Sequence, residues 1–150
     1  SELLRTNRYK HPFSILMIDL DDFKTINDRF GHAEGDVVLK NFASLLRRSL
    51  RSIDLPARWG GEEFIVILPE LSHSAAMAAA VKICELTASS SISSHTSVTV
   101  SVGCSQAREG DTIDSLTVRA DNALYDAKRR GKNRAVDADI AESSDGPALS

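Results

Sequence analysis

The hydrophobic and polar positions along the chain form strand-like runs that alternate with helix-like periods. The continuous apolar run at residues 13–19 predicts a buried central strand, and "FIVIL" at 64–68 predicts a second one. A short strand near residues 55–59 should pair with "FIVIL" as a hairpin, because the double glycine between them suits a turn. "TSVTVSVGCS" alternates as a strand does, and "NRAVD" indicates a short final strand.

Apolar residues that recur every three or four positions predict the helices. "FKTINDRF" reads as a short helix that a loop containing Gly31 and Gly35 separates from the next. That next helix runs from Asp36 to about Arg51. A third helix precedes the serine-rich loop 89–94 and is marked by Met77, Val81, Cys84 and Ala88.

The last helix is predicted to begin at a polar cap and to end at a glycine. Asp111 or Thr112 supplies the cap, and Gly131 ends the helix. Its apolar positions are Ile113, Leu116, Ala120, Leu124 and Ala127.

This order of elements predicts an α/β (α+β) fold, with a mostly antiparallel central sheet flanked by helices. The 150 residues suit one domain, which we expect to span residues 1–138. "SELLRTNRYKHP" reads as the end of a helix stopped by Pro12. Residues 139–150 have no hydrophobic period and are predicted to form a flexible tail.

Composition is that of an ordinary globular protein, with 42% hydrophobic and 26% charged residues. A net charge of −3 gives no argument for a nucleic-acid partner, and no apolar run approaches a membrane span. The absence of a signal-peptide pattern favours a cytoplasmic location. Cys84 and Cys104 stand alone in apolar contexts and are predicted to be buried thiols. The four histidines are scattered, and no pair has metal-ligand spacing.

Two adjacent glutamates directly precede the "FIVIL" strand. A hairpin turn needs only Gly60 and Gly61, whereas the neighbouring carboxylates of Glu62 and Glu63 repel each other unless a cation or proton donor joins them. We therefore expect another part of the chain to help supply a cation or a proton donor for this pair.

A second acidic group follows the first strand, at Asp19, Asp21 and Asp22. If that strand lies beside the hairpin, Asp19 and Glu62 come close enough to share a cation. Oxygen ligands of this kind suit magnesium. The alternative is a solvated acidic strand end beside a charged, glycine-rich hairpin.

Three separated blocks resemble the GGDEF family of diguanylate cyclases. They are "DLDDFKTINDRFGHAEGD" at 19–36, "GGEEF" at 60–64 and "ADNALYDAKRRGKN" at 120–133, and the resemblance runs from about residue 10 to residue 136. It implies an enzyme that joins two GTP molecules into cyclic di-GMP. The implied fold is similar to adenylate cyclase catalytic domains and polymerase palms.

The resemblance implies two divalent ions, Mg²⁺ or Mn²⁺, in each active site. Asp19, Glu62 and the backbone carbonyl of Leu20 match the metal ligands, and Glu63 a supporting ligand. Glu62 also matches a candidate base for the attacking 3′-hydroxyl, although activation by the metals could make a base unnecessary. The double glycine would let the backbone approach the nucleotide.

The same resemblance implies that Asn27 and Asp36 bind guanine, and that Lys24, Lys128 and Lys132 bind phosphates together with Gly60 and Gly61. Without it, Asp36 would read as a first-turn residue at the positive end of a helix, and Asn27 as a polar helix-end residue. Lys128 and Lys132 would share one helix face if the helix persists to Gly131. Where many family members carry arginine, this chain has Lys132, which keeps the charge but loses the bidentate fork.

"RSIDLPARWGG" matches an inhibitory RxxD site of the family, which binds the product away from the active site. Its residues here are Arg51 and Asp54, and Lys82 is the nearest candidate for a further basic group. The alternative is a helix-terminal arginine and a turn aspartate.

The resemblance also implies a homodimer, since each protomer would hold one GTP. The family's Asp-x-Leu-Thr-Gly-Leu-type segment is absent before residue 1, so we expect a regulatory domain N-terminal to this chain. Two alternatives stay open: a non-catalytic domain that senses GTP or cyclic di-GMP, and a dimerisation or docking module that binds no nucleotide.

Overall fold

Five strands form one sheet, with helices on both faces. The computed structural model of the chain describes residues 13–139. The elements are β1 (Phe13–Leu20), α1 (Phe23–Phe30), α2 (His32–Ser49), β2 (Leu55–Arg58), β3 (Glu63–Pro69), α3 (His73–Ser89), β4 (Val100–Gln106), α4 (Ile113–Arg129) and β5 (Arg134–Asp137). The strand order is β2-β3-β1-β4-β5, and only the β4–β5 pair is parallel. The predicted mostly antiparallel α/β fold is confirmed. The predicted helix end before Pro12 and residues 140–150 of the predicted tail lie outside the described residues.

β1 is the central strand because its residues are apolar on both faces. Successive side chains of a strand point to opposite faces, so such a strand must be covered on both sides. Leu16 and Ile18 belong to a core shared with α1, α2 and α3, whereas Ile15 and Met17 pack in a second cluster with α4. Three helices thus cover one face, and α4 covers the other.

The second helix begins four residues earlier than predicted, at His32, and ends at Ser49. Gly31, at φ 92°, separates it from α1. The predicted loop at Gly35 is wrong, because Gly35 is helical and packs against the preceding helix. A Cβ built on Gly35 would lie 1.9 Å from Oδ1 of Asn27, so a glycine is needed there for close contact rather than for a turn.

The other elements agree with the predictions in position but differ in detail. Val81 is 42% exposed, and the buried face of α3 consists of Ala76, Ala80, Ile83, Cys84 and Thr87. Small alanines let this helix lie close to the sheet. β4 begins at Val100, later than the alternating pattern suggested. Its serines are buried, and the hydroxyl of Ser105 is satisfied by donating to the carbonyl of Leu116 in α4.

Both cysteines are buried and free, as predicted. Burial raises the pKa of the Cys84 thiol and of the Cys104 thiol to about 12. Over residues 13–139, no helix combines the length and apolarity that a membrane crossing needs.

The cap of α4 is Thr112, which forms a reciprocal capping box with Ser115. Asp111 instead accepts hydrogen bonds from Arg119, from Ser115 and from the backbone N–H of Arg108. Burial is the largest effect on its carboxyl and would raise its pKa, but these bonds outweigh burial and lower the pKa to about 2.

Replacing Asp111 with Asn should destabilise the fold at pH 7 by about 1 kcal/mol, after allowance for solvent screening. Because the folded pKa lies below the unfolded value, this stability is present above about pH 4 and is lost as the pH falls toward 2. Urea unfolding of both proteins from pH 7 to pH 3 measures the difference. Asp114→Asn, an exposed change in the first turn of the same helix, is the control. A difference that stays constant with pH would contradict the assignment.

Candidate active site

The hairpin turn and the end of β1 meet at one end of the sheet. β1 and β3 pair antiparallel, with Asp19 opposite Glu63, and the backbone N–H of Leu20 donates to the carbonyl of Glu62 at 3.3 Å. The first strand therefore lies beside the hairpin, as the predicted shared site at Asp19 and Glu62 requires.

Arg58 fixes the shape of the double-glycine turn, a role that sequence reasoning missed. Its Nε lies 3.1 Å from the carbonyl oxygens of both Gly60 and Gly61, and its Nη2 lies 2.5 Å from that of Gly61. The backbone N–H of Gly60 also donates to the carbonyl of Glu63 at 3.2 Å. The only available signal was an arginine two residues before the glycines.

Asp19 lies in an environment that disfavours its negative charge. Burial raises the pKa of its carboxyl to about 6; Lys128 opposes this rise, and the neighbouring charges of Glu62 and Glu63 add to it. Burial also raises the pKa of Glu63, helped by Asp121 and Glu62 and opposed by Lys128. The acidic cluster therefore carries more negative charge than the nearby lysine compensates.

These groups fit a divalent cation. Oδ1 of Asp19 is buried and has no hydrogen-bond partner among the described residues, and hard carboxylate oxygens are the ligands that Mg²⁺ prefers. In the described part of the chain, the oxygens of Asp19, Glu62 and Glu63 do not all lie within 4.8 Å of one another. Mg²⁺ commonly binds through one or two carboxylates together with waters and substrate phosphates, so it does not need all three side chains as direct ligands.

A cavity of ≈ 460 Å³ adjoins the acidic cluster. It gathers five predicted site residues, Lys24, Asn27, Asp36, Gly61 and Glu62. Phe23, His32, Leu39 and Arg58 complete its lining, and the ring of Phe23 is otherwise buried in the core. Of these, sequence reasoning missed His32, Leu39 and Arg58.

The two predicted guanine residues lie on neighbouring helices. Asn27 belongs to α1 and packs over Gly35 of α2, and Asp36 lies one residue further along α2. Because α2 begins at His32, Asp36 lies in its second turn. The alternative reading of Asp36 as a first-turn residue at the helix dipole is therefore wrong.

Lys128 and Lys132 both reach the acidic end of β1. Nζ of Lys128 lies 2.9 Å from Asp21 and 3.5 Å from Asp19, and Nζ of Lys132 lies 2.6 Å from Asp22. The helix ends at Arg129, so the expected continuation to Gly131 does not occur. The loop after α4, rather than a shared helix face, brings Lys132 to this end of the sheet.

The side chains of Arg51 and Asp54 bind each other. Arg51 donates to both carboxylate oxygens of Asp54, with Nη2–Oδ1 at 2.6 Å and Nε–Oδ2 at 3.3 Å. Asp54 is buried, and Arg51 also donates to the carbonyl of Pro69 at 2.8 Å. Lys82 lies on the exposed side of α3. Arg51 lies beyond the end of α2 at Ser49, so the alternative reading of a helix-terminal arginine is wrong.

Folding brings together one cluster of a histidine and two aspartates that the spacing of the histidines in the sequence did not indicate. His73 contacts buried Asp137, and Nε2 of His73 lies 3.8 Å from Oδ2 of Asp139, which also pairs with Arg108. This cluster lies at the opposite end of β4 from Asp19, since Asp137 aligns with Cys104. Residues 64 positions apart give no spacing signal in a sequence.

Comparison with known proteins finds matches over most of the chain. The family model described as "Diguanylate cyclase, GGDEF domain" matches residues 1–134. Diguanylate cyclase A of Treponema denticola is 46% identical over 129 residues, which cover 83% of this chain and 35% of that protein. The chain thus spans about a third of the length of the curated relatives that it matches.

Two solved structures share the fold. The active GGEEF domain of a diguanylate cyclase from Vibrio cholerae superposes with a TM-score of 0.85 at 36% identity, covering 91% of this chain and 88% of that chain. The GGDEF domain of DgcB from Caulobacter crescentus, solved in complex with c-di-GMP, gives a TM-score of 0.86 at 31% identity, with 91% and 84% covered.

Proposed function

Because the chain belongs to the GGDEF domain family, we propose that it is a diguanylate cyclase domain that condenses two GTP into cyclic di-GMP and two pyrophosphates. The observation that carries the proposal is the ≈ 460 Å³ cavity, which gathers Lys24, Asn27, Asp36, Gly61 and Glu62. Glu62 in turn interacts electrostatically with Asp19. A docking module that binds no nucleotide would not need these polar groups to converge on one cavity.

The guanine base occupies the end of the cavity between α1 and α2. Asp36 accepts from the N1–H and the N2 amino group of guanine, a pair that adenine does not offer. Asn27, which packs over Gly35, supplies the second polar contact. An adenine in this position would leave the carboxylate without a partner, and this selects GTP over ATP.

The triphosphate lies across the double-glycine turn toward Asp19. Gly61 has no heavy atom within 4 Å of a built Cβ, so the turn leaves open space for phosphates to approach. Lys24, Lys128 and Lys132 supply positive charge around this space. The carboxylates of Asp19, Glu62 and Glu63, with the carbonyl of Leu20, would hold the divalent ions, two of Mg²⁺ or Mn²⁺ per active site.

When bound, these ions supply charge neutralisation of the triphosphate and a lowered pKa for the attacking hydroxyl. The 3′-oxygen of one GTP forms a bond to the α-phosphorus of the other, and the bond from that phosphorus to the pyrophosphate oxygen breaks. Glu62 is the proposed acceptor of the hydroxyl proton. One protomer holds one GTP, so two protomers must face each other to close the ring.

Incubation of the chain with GTP and Mg²⁺, followed by chromatographic detection of cyclic di-GMP, tests the proposal. A fusion to a dimeric coiled coil supplies the second protomer if the chain alone is monomeric. The absence of product from the dimerised chain would contradict the proposed activity. GTP binding without turnover would favour the sensor alternative, and the absence of any nucleotide binding would favour the docking module.

Product inhibition is proposed at Arg51 and Asp54, with Lys82 as a further basic group. Arginine pairs with phosphate and stacks on guanine, and the contacts of Arg51 with Asp54 and Pro69 hold its guanidinium in one orientation. Cyclic di-GMP bound there lies away from the cavity and restrains the two protomers.

Arg51→Ala should raise the concentration of cyclic di-GMP that halves the initial rate by about tenfold or more, because a charge-assisted contact is lost. The measurement is the initial rate at a series of added product concentrations. Arg48→Ala is the matched control, since exposed Arg48 contacts only Ser44 among the hydrogen bonds described for it. Inhibition that is unchanged in Arg51→Ala would contradict this site.

A further inference from the structure

Asp21 is the most completely hydrogen-bonded carboxylate beside the candidate active site. It is 3% exposed and accepts from the hydroxyls of Ser101 and Thr99, each at 2.7 Å. It also accepts from Nζ of Lys128 at 2.9 Å and from the backbone N–H of Asn133 at 3.0 Å. These donors come from β4 and the residue just before it, from the end of α4 and from the loop before β5.

The division of these bonds between the two oxygens leaves Asp21 no lone pair for a metal ion in this structure. Oδ1 accepts from Ser101 and Lys128, and Oδ2 accepts from Thr99 and Asn133. An ionised carboxylate has about four lone-pair sites, so all of them are used. Asp19, two residues earlier, has the opposite character, because its Oδ1 is buried without a partner among the described residues. The two aspartates therefore have different roles despite their spacing.

Of the four donors that converge on Asp21, only Nζ of Lys128 carries a charge. A buried, fixed negative charge at this point attracts one ammonium group and holds it in place.

That ammonium group is Lys128, in the last turn of α4. Its Nζ is held 2.9 Å from Asp21 and 3.5 Å from Asp19. A lysine ammonium has three donors, so one remains for a ligand oxygen. Without Asp21, the four-carbon stem would be free to sample several rotamers, and binding would have to order it.

The same carboxylate holds the loop that follows α4. Gly131, Lys132 and Asn133 have φ values of 120°, 66° and 49°, a conformation that costs energy in non-glycine residues. The bond from the N–H of Asn133 to Asp21 fixes the end of this segment. Asp21 thereby joins the helix end and the loop into one rigid unit around Lys128.

We propose that Asp21 is a positioning residue, which contacts no substrate itself and orders the ammonium of Lys128 for the GTP triphosphate. This inference rests on the proposed function, since it assumes that a guanine nucleotide occupies the cavity. It assigns to the second aspartate of "DLDD" a role separate from that of Asp19.

Binding of 3′-deoxy-GTP tests the inference without turnover, because this analogue lacks the attacking hydroxyl. In calorimetry with Mg²⁺, Asp21→Asn should weaken 3′-deoxy-GTP binding by about tenfold or more. Binding of 3′-deoxy-GMP, which lacks the outer phosphates, should change by less than about threefold. An asparagine offers an amide N–H₂ where two donors now converge, so it cannot restore both pairs of bonds.

A double-mutant cycle separates positioning from a general loss of structure. In a Lys128→Met background, Asp21→Asn should change 3′-deoxy-GTP affinity by less than about threefold, because the group through which it acts is gone. A purely structural role would give the same factor in both backgrounds and would overturn the inference. Asp126→Asn is the control: it removes a buried carboxylate of α4 that pairs with Arg129 and Arg130, and it should leave the affinity unchanged.

The outcomes for the two proposals differ. A dimerised wild-type chain that binds 3′-deoxy-GTP but forms no cyclic di-GMP from GTP overturns the proposed activity and leaves this inference standing. Equal effects of Asp21→Asn in both backgrounds overturn this inference alone. A wild-type chain that does not bind 3′-deoxy-GTP overturns both.

Discussion

Glu62→Gln is expected to reduce cyclic di-GMP formation by on the order of 10³-fold or more, with no loss of fold stability. Glutamine keeps the shape of the side chain but removes the negative charge that would hold a divalent ion. Glu62 also contributes to the raised pKa of Asp19, so removing its charge relieves repulsion in the folded state. The melting temperature should therefore stay unchanged or rise slightly.

Initial rates with GTP and Mg²⁺, together with thermal unfolding of the same preparations, measure both effects. Glu85→Gln, an exposed change on α3, is the matched control and should retain full activity. Retention of more than about a tenth of wild-type activity in Glu62→Gln would contradict a metal-binding or base role for this carboxylate.

The same variant distinguishes the two roles proposed for Glu62. If Glu62 holds a divalent ion, Glu62→Gln weakens the Mg²⁺-dependent binding of 3′-deoxy-GTP. If it acts only on the 3′-hydroxyl, binding of this analogue is unchanged, because the hydroxyl is missing. Loss of turnover with unchanged binding therefore assigns the base role.

The elements could be predicted from the sequence because their signals are local. The apolar run of β1 and the glycine-flanked run of β3 each identify a strand without knowledge of the rest of the chain. The boundary of α2 was missed because Gly35 reads as a turn residue. Its actual role depends on contact with Asn27 of a neighbouring helix, which no local pattern records.

The candidate site was predictable only in part, for a related reason. The acidic residues and lysines stand in recognisable blocks, and the first strand lies beside the hairpin as the interpretation required, with Asp19 opposite Glu63. The role of Asp21 was not predictable. Its partners Lys128 and Asn133 lie 107 and 112 residues away, and only the packing of α4 and β5 on β4 brings them to it.

In the core, the role of Gly103 also depends on contacts between distant parts of the chain. Its replacement is expected to cause the largest loss of stability predicted for this protein. Gly103 is buried in β4 between Met17 of β1 and Val136 of β5. A Cβ built there would lie 2.1 Å from the carbonyl oxygen of Ala120 and 2.4 Å from the backbone nitrogen of Leu124. The backbone of α4 therefore rests directly on this glycine, and a methyl group would have to displace the whole helix.

Gly103→Ala should destabilise the fold by about 3–5 kcal/mol and lower the melting temperature by roughly 10–20 °C. Calorimetry measures the shift, and Gly61→Ala, where a Cβ meets no atom within 4 Å, is the control with an unchanged melting temperature. Because the clash is with backbone atoms, trimming the helix by Ala120→Gly cannot rescue Gly103→Ala. A variant that melts within about 3 °C of wild type would contradict this close approach. Since α4 also carries Lys128, a displaced helix should weaken 3′-deoxy-GTP binding even at temperatures where Gly103→Ala is still folded.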